Sequence, residues 1–324
     1  MKSRRKLIFI ILLIMFLIAS LLLIQDGSKK YSNIYNVAVV LNRKNNEDLS
    51  VIKAGIDQAS LDMNVNIRII SLIENNDEEE QIENIKKEID EDVDALIISP
   101  ADSDKLAHII EEVNKNIPVI LIGSKINSKV ELPYISCDNY ELGRSLGEEI
   151  IKNGNTRNKI YIIKNNNNLI NMKERFNGII DELKNSKNTY EIIEMPEKEE
   201  DLYSMLINLM NNKEKNIIIS LEIDSLEAIG KVKKNILENT DVKSDISIYG
   251  IGRTSNIISF VEKDIINSIA IQNEFNVGYL SVKIAVSEIE DIKIDSNMKI
   301  ESTIINRRNM YSEENQKILF PIVR

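Results

Sequence analysis

From Tyr35 onward, apolar positions recur in two alternating rhythms. Short continuous runs such as Val37–Leu41 read as buried strands, and the stretches between them carry apolar residues three and four apart, as one face of a helix requires. In Leu49–Met63 that face is Leu49, Ile52, Ile56, Ala59 and Met63, and in Asn76–Ile89 it is Ile82, Ile85 and Ile89. Further strands are predicted at Val65–Leu72, Asp94–Ile98, Pro118–Ile122 and Tyr134–Ser136, with a helix at Ser103–Val113. The alternation then repeats. Helices are predicted at Leu142–Ile151, Lys173–Leu183, Leu202–Met210, Leu226–Ile236, around Ile257–Val261 and at Val277–Ile289. Strands are predicted at Lys159–Ile163, Tyr190–Glu194, Asn216–Ser220, Ile246–Tyr249 and Ser268–Ile271. Strands separated by helices of about 10–15 residues imply βαβ units and parallel sheets. Two such arrays of similar size predict an α/β protein of two doubly wound lobes. In open sheets of this kind ligands sit beyond the carboxyl ends of the strands, so residues just after each strand are the candidates for function.

The first residues follow a different rule. Lys2, Arg4, Arg5 and Lys6 precede an apolar run from Leu7 to Ile24, relieved only by Ala19 and Ser20. A bilayer-spanning helix needs roughly 20 apolar residues, and a signal-peptide core has about 7–15. The run predicts one uncleaved transmembrane helix with its basic end in the cytoplasm and the rest of the chain outside. The alternative, a cleaved signal peptide, has only Ala19-Ser20 as a cleavage site and predicts secretion. A lipoprotein tether needs a cysteine just after the run, and Cys137 is the only cysteine. Gln25–Ile34 is polar and reads as a linker.

Composition narrows the function. The chain has 324 residues and a net charge of −10, and its first six residues carry four positive charges, so the exported part is more acidic still. An acidic chain with no basic face argues against a nucleic-acid partner. One cysteine and one histidine, His108, leave no disulfide framework and no Cys/His metal cluster, and no cofactor is expected.

Several segments in order resemble the type I periplasmic sugar-binding proteins, whose fold is shared with the ligand domains of LacI-type repressors. They are Val93-Asp-Ala-Leu-Ile-Ile-Ser-Pro-Ala-Asp-Ser-Asp104, Asn116-Ile-Pro-Val-Ile-Leu-Ile122 and Cys137-Asp-Asn-Tyr-Glu-Leu-Gly143, then Glu174-Arg-Phe-Asn-Gly178 and Ile271-Gln-Asn-Glu-Phe-Asn-Val-Gly-Tyr279. The resemblance runs from Tyr35 to the end of the chain. It implies two lobes closing over a small ligand, joined by crossings near Cys137–Asn139, Gln272 and Thr303–Ile305. The implied division is a basic tip, anchor and linker at 1–34, an N-terminal lobe of 35–138 with 272–304, and a C-terminal lobe of 139–271 with 305–324.

The resemblance also nominates ligand contacts. Asn42 and Asn46 follow the first strand, where a carboxamide offers a sugar hydroxyl both donor and acceptor; they are equally ordinary loop asparagines. Arg175 matches the family's ligand arginine by its spacing to Gly178, and its donor fork suits paired hydroxyls or a carboxylate. Gln272 matches a ligand glutamine at a crossing. Asp224 follows a strand and either accepts ligand hydroxyls or caps the helix from Leu226. Asp138 and Asn139 read as a structural cap. The chain also departs from the family. Gly123-Ser124 and Gly250-Ile-Gly-Arg253 stand where the family places carboxylates, and Asp48 and Leu49 replace its stacking aromatics. Arg253 adds a cation, so a ligand bearing a carboxylate or phosphate is a further expectation.

Other constellations read as ordinary structure. Asp77-Glu-Glu-Glu80 opens a helix, where negative charge is favoured. Gly250-Ile-Gly252 lacks the remaining marks of a nucleotide loop, and nothing in the sequence positions His108 against Cys137, so an enzyme is not expected. The expected function is a membrane-anchored extracytoplasmic solute-binding protein that takes a sugar-like ligand and serves an ABC importer or a sensor histidine kinase. The alternative is an anchored interaction protein with a degenerate pocket.

Overall fold

The computed structural model describes residues 34–44, 49–164, 168–211, 215–242, 246–293 and 298–320. The apolar run Leu7–Ile24 and Asn46 lie outside these residues. No helix among the described residues is long and apolar enough to cross a membrane. All elements below belong to the unit Asn36–Arg324.

The first half folds as β1 (Asn36–Lys44), α1 (Ser50–Met63), β2 (Asn66–Leu72), α2 (Glu78–Asp90), β3 (Ala95–Ile98), α3 (Ala107–Val113), β4 (Val119–Ile122) and β5 (Tyr134–Cys137). The second repeats the plan with α4 (Asn139–Lys152), β6 (Lys159–Lys164), α5 (Ile170–Leu183), β7 (Thr189–Glu194), α6 (Glu199–Met210), β8 (Asn216–Ser220), α7 (Ile223–Asn239), β9 (Ile246–Ile251), α8 (Ser255–Glu262) and β10 (Ser268–Gln272). The chain ends with α9 (Glu274–Ile289), β11 (Lys299–Ile300), β12 (Ser302–Asn306) and α10 (Glu313–Leu319). The expected alternation therefore holds throughout, with boundaries moved by a few residues.

Two sheets result, ordered β11-β5-β4-β3-β1-β2 and β12-β10-β9-β8-β6-β7. The first is parallel throughout, and in the second only β12 runs antiparallel, against β10. β3, β4, β8 and β9 are buried along their whole length. That is why they read as unbroken Ile, Leu and Val: helices cover both faces of a parallel sheet, so neither face tolerates polar residues. Each sheet has its own apolar core, one around Leu96, Ile98 and Ile110 and the other around Ile218, Ile229 and Ile248.

The chain passes between the sheets three times. Asp138 makes the first passage and caps α4, accepting a hydrogen bond from the Glu141 amide at 3.0 Å. Asn273 makes the second and caps α9 through the Asn276 amide at 3.1 Å. The third falls at Glu301, between β11 in the first sheet and β12 in the second. It therefore precedes the expected crossing at Thr303–Ile305, because those residues already pair with β10 at Ile271, Ala270 and Ile269. The expected boundary at 304 likewise cuts through β12.

Candidate functional site

The strand orders reverse beside β1 and β3 in the first sheet and beside β6 and β8 in the second. Where the carboxyl ends of these strands face each other, a cavity of about 150 Å³ lies between the sheets. Polar side chains reach it from strand ends, as Asn42 and Arg43 do from β1, Ser99 from the end of β3 and Gln272 from β10. Asn171 and Arg175 reach it from α5. Most of the remaining wall is aliphatic, including Leu41, Ile122, Leu169, Ile223, Ile251 and Val277, and none of the described lining residues is aromatic.

Arg175 is placed by helix packing. A Cβ at Gly143 of α4 would lie 2.1 Å from the Arg175 carbonyl oxygen, and one at Gly178 of α5 would lie 2.0 Å from the Tyr140 carbonyl oxygen. Two glycines facing each other thus let the helices touch backbone to backbone. This contact sets the Arg175 side chain, 8 % exposed, beside the first crossing. There its Nε donates to Asn139 Oδ1 at 2.9 Å. Asn139 Nδ2 in turn faces Tyr134 Oη and Ser136 Oγ, both at 3.2 Å. Burial pushes the Tyr134 phenol and the Cys137 thiol above their ordinary values, so both stay neutral and donate. Asn139 is therefore more than a cap residue: it orients the arginine. Gln272 closes the network, accepting at Oε1 from the Cys137 amide at 3.2 Å and the Ser136 hydroxyl at 3.5 Å. Its amide nitrogen is left for the cavity.

The other nominated residues divide. Arg253 lines the cavity. Asn42 also does, but its carboxamide serves the first lobe. Its Nδ2 donates to Asn76 Oδ1 at 2.9 Å and to the Pro100 carbonyl at 3.2 Å, and its Oδ1 accepts from the Ser99 hydroxyl at 3.0 Å. Asp224 is not among the lining residues. Nor is it the helix cap: α7 starts at Ile223 behind Glu222, so Asp224 lies in the first turn. From there its carboxylate reaches across to the first lobe, 3.3 Å from Arg43 Nη2 and accepting from Asn75 Nδ2 at 2.6 Å. On another rim the Ser103 amide donates to the Asn168 carbonyl at 2.9 Å, and Asn168 Nδ2 donates to Asp104 Oδ2 at 2.6 Å. Amide donors from Asn127 and Asn168 hold the Asp104 carboxyl below its ordinary value. These are contacts of a closed pair of lobes.

Arg43 and Asn171 were not anticipated. Arg43 directly follows a nominated residue, and Asn171 lies one helical turn before Arg175, so helical spacing would have found it. Asn171 Nδ2 donates to the Gly123 carbonyl at 3.0 Å, which fixes the amide orientation, and its buried Oδ1 has no hydrogen-bond partner among the described residues. His108 is exposed on α3 while Cys137 is buried at the end of β5, so the two do not form a matched pair. The site offers hydrogen bonds, charge and aliphatic surface to a small molecule.

A family model described as a periplasmic binding protein domain matches residues 37–292. Among solved structures, a carbohydrate transporter solute-binding protein from Agrobacterium radiobacter, in complex with D-arabinose, superposes with a TM-score of 0.79 at 17 % identity, covering 89 % of this chain and 99 % of its own. GanP, a glucose-galactose binding protein from Geobacillus stearothermophilus, gives 0.75 at 17 % identity, with 86 % and 100 % covered. The XylFII–LytSN complex gives 0.72 at 18 % identity, with 85 % and 99 % covered. No curated protein matches the chain.

Proposed function

We propose that this chain, which belongs to the periplasmic binding protein domain family, is a membrane-anchored extracytoplasmic solute-binding protein that closes its lobes on one sugar or sugar derivative. The solute-binding proteins it resembles are not enzymes. The observation that carries the reading is the cavity itself, lined by polar groups from both lobes at the switch points of their sheets. A cavity of about 150 Å³ suits a single six-membered ring, so the ligand is a monosaccharide-sized molecule. The lobes are residues 36–138 with 273–301, and 139–272 with 302–320. Ligand contacts from both of them favour the closed form, which is the form a membrane partner reads. The basic cluster Lys2–Lys6 and the run Leu7–Ile24 supply the anchor. Solved relatives of similar fold include an ABC transporter binding protein and a complex with LytSN. The lack of a lipid-modifiable cysteine favours service to a sensor over an importer. The test is a thermal-shift screen of the full-length chain against monosaccharides, polyols and sugar acids. A ligand at 100 times its Kd adds about 2.7 kcal/mol to stability. No shift with any compound would replace this reading with the degenerate-pocket one.

A further inference from the structure

Resting on the solute-binding reading, we infer that the ligand is a hydroxycarboxylate whose carboxylate sits on Arg175 and whose adjacent hydroxyl donates to Asn171. Two observations require such a pair of groups. Arg175 is 8 % exposed, and its one hydrogen bond among the described residues, through Nε, goes to the neutral carboxamide of Asn139. Among the described residues neither of its terminal amino groups meets a protein acceptor. Arg43, the neighbouring cation at the mouth, already faces Asp224. Arg253, Glu222 and Glu274 also line the cavity, and the neighbouring Glu174 carboxyl feels the Arg175 charge, but no described carboxylate forms an ion pair with Arg175. A ligand closing over these amino groups takes the guanidinium out of water, and a carboxylate that binds both of them offsets that cost better than a hydroxyl does.

The second observation is the orphaned acceptor. Asn171 is 8 % exposed, and its Oδ1 is buried on the cavity wall without a partner among the described residues. Positions 171 and 175 lie one turn apart on α5, so their Cβ atoms are about 5–6 Å apart. A ligand that satisfies both needs an acceptor-only group and a hydroxyl donor close together. Gln272 adds a further donor, since its Oε1 is already engaged. The aliphatic walls, with no aromatic platform among the described residues, ask for a compact body with few remaining hydroxyls.

Two sources carry this chemistry, sugar acids and short branched hydroxy acids. Isothermal titration of the full-length chain separates them, with the hexose aldonates and uronates, α-hydroxyisovalerate, the parent hexoses and the uronate methyl esters as probes. An acid is expected to bind about 10- to 100-fold tighter than its parent sugar and its methyl ester. Arg175→Gln is expected to erase that preference. Should this variant not fold, the acid-to-ester comparison on the unaltered chain still decides. Binding of α-hydroxyisovalerate alone supports the proposal and assigns the aliphatic source. A hexose or an ester that binds as tightly as its acid overturns the proposal and leaves the solute-binding reading intact. No binding by any probe overturns both.

Discussion

Replacing Gly143 by alanine tests how the scaffold places Arg175. A new Cβ would sit 2.1 Å from the Arg175 carbonyl oxygen and 2.8 Å from its carbon. Ordinary contact begins near about 3.5 Å, so α4 and α5 must separate by about 1 Å. In a free helix the same change would stabilise by about 0.8–1 kcal/mol. Here overpacking costs about 1–3 kcal/mol. Pulling α5 away also stretches the 2.9 Å bond from Arg175 to Asn139, and a bond to a charged group contributes about 1.5–3 kcal/mol. The net expectation is a loss of about 2–4 kcal/mol in urea denaturation of the full-length chain followed by circular dichroism. Gly178→Ala presses the same interface from the other side, with its Cβ 2.0 Å from the Tyr140 carbonyl oxygen. Once one alanine has opened the gap the second costs less, so the double variant loses less than the sum. Gly55→Ala acts on the other helix pair, where its Cβ would be 2.1 Å from the Phe275 carbonyl oxygen, and adds independently to Gly143→Ala. A Gly143→Ala chain at least as stable as the original would refute the backbone contact and the account of how Arg175 is held.

Two further outcomes follow from single residues. Asp224→Ala removes an exposed contact across the mouth and no cavity wall, and an exposed pair contributes about 0–1 kcal/mol. Ligand affinity should therefore fall no more than about fivefold while the ligand-free chain opens in small-angle scattering; a drop of about 100-fold would instead make Asp224 a direct ligand contact. Lys233 is buried, with Nζ donating to the Ile246 and Ile265 carbonyls at 3.0 and 2.8 Å, and burial lowers it from 10.5 to about 8. Between those values the unfolded chain keeps a proton that the folded chain has released, so stability rises with pH. Chemical denaturation should gain about 1–2 kcal/mol from pH 8 to about 9.5, and Lys233→Met should lose that slope; an unaltered chain with a flat profile contradicts the burial argument.

The fold was legible because its demands are periodic. Each buried strand had to be apolar on both faces and each covering helix apolar on one, so β3, β8 and β9 and their helices showed as rhythm alone. The ends were less legible for the opposite reason. β11 has two residues, too few for a period to register, and the crossing that follows it falls earlier than the expected one. Acidic residues were ambiguous between roles. Asp77 proved to be the cap of α2 through the Glu80 amide at 2.9 Å. Asp224, expected as a ligand contact or a cap, lies in the first turn of α7 and does not cap it, because the residue before the helix is Glu222.

The site was harder to read because the scaffold repeats and its chemistry does not. The two sheets share one strand order. Each lobe also packs a pair of helices through facing glycines, Gly55 with Gly278 and Gly143 with Gly178. Three residues before Gly178 stands Arg175; three before Gly55 stands Ile52, and both line the cavity. Matching positions thus bring a cation from one side and an apolar wall from the other. A pattern that must be satisfied twice leaves two copies of its signal in the chain. A charge needed once leaves none, and the glycine beside it marks the place without specifying the residue. That is why spacing to Gly178 could point to Arg175, whereas the roles of Asn42, Asn171 and Asn139 depended on which partner each amide met in the folded chain.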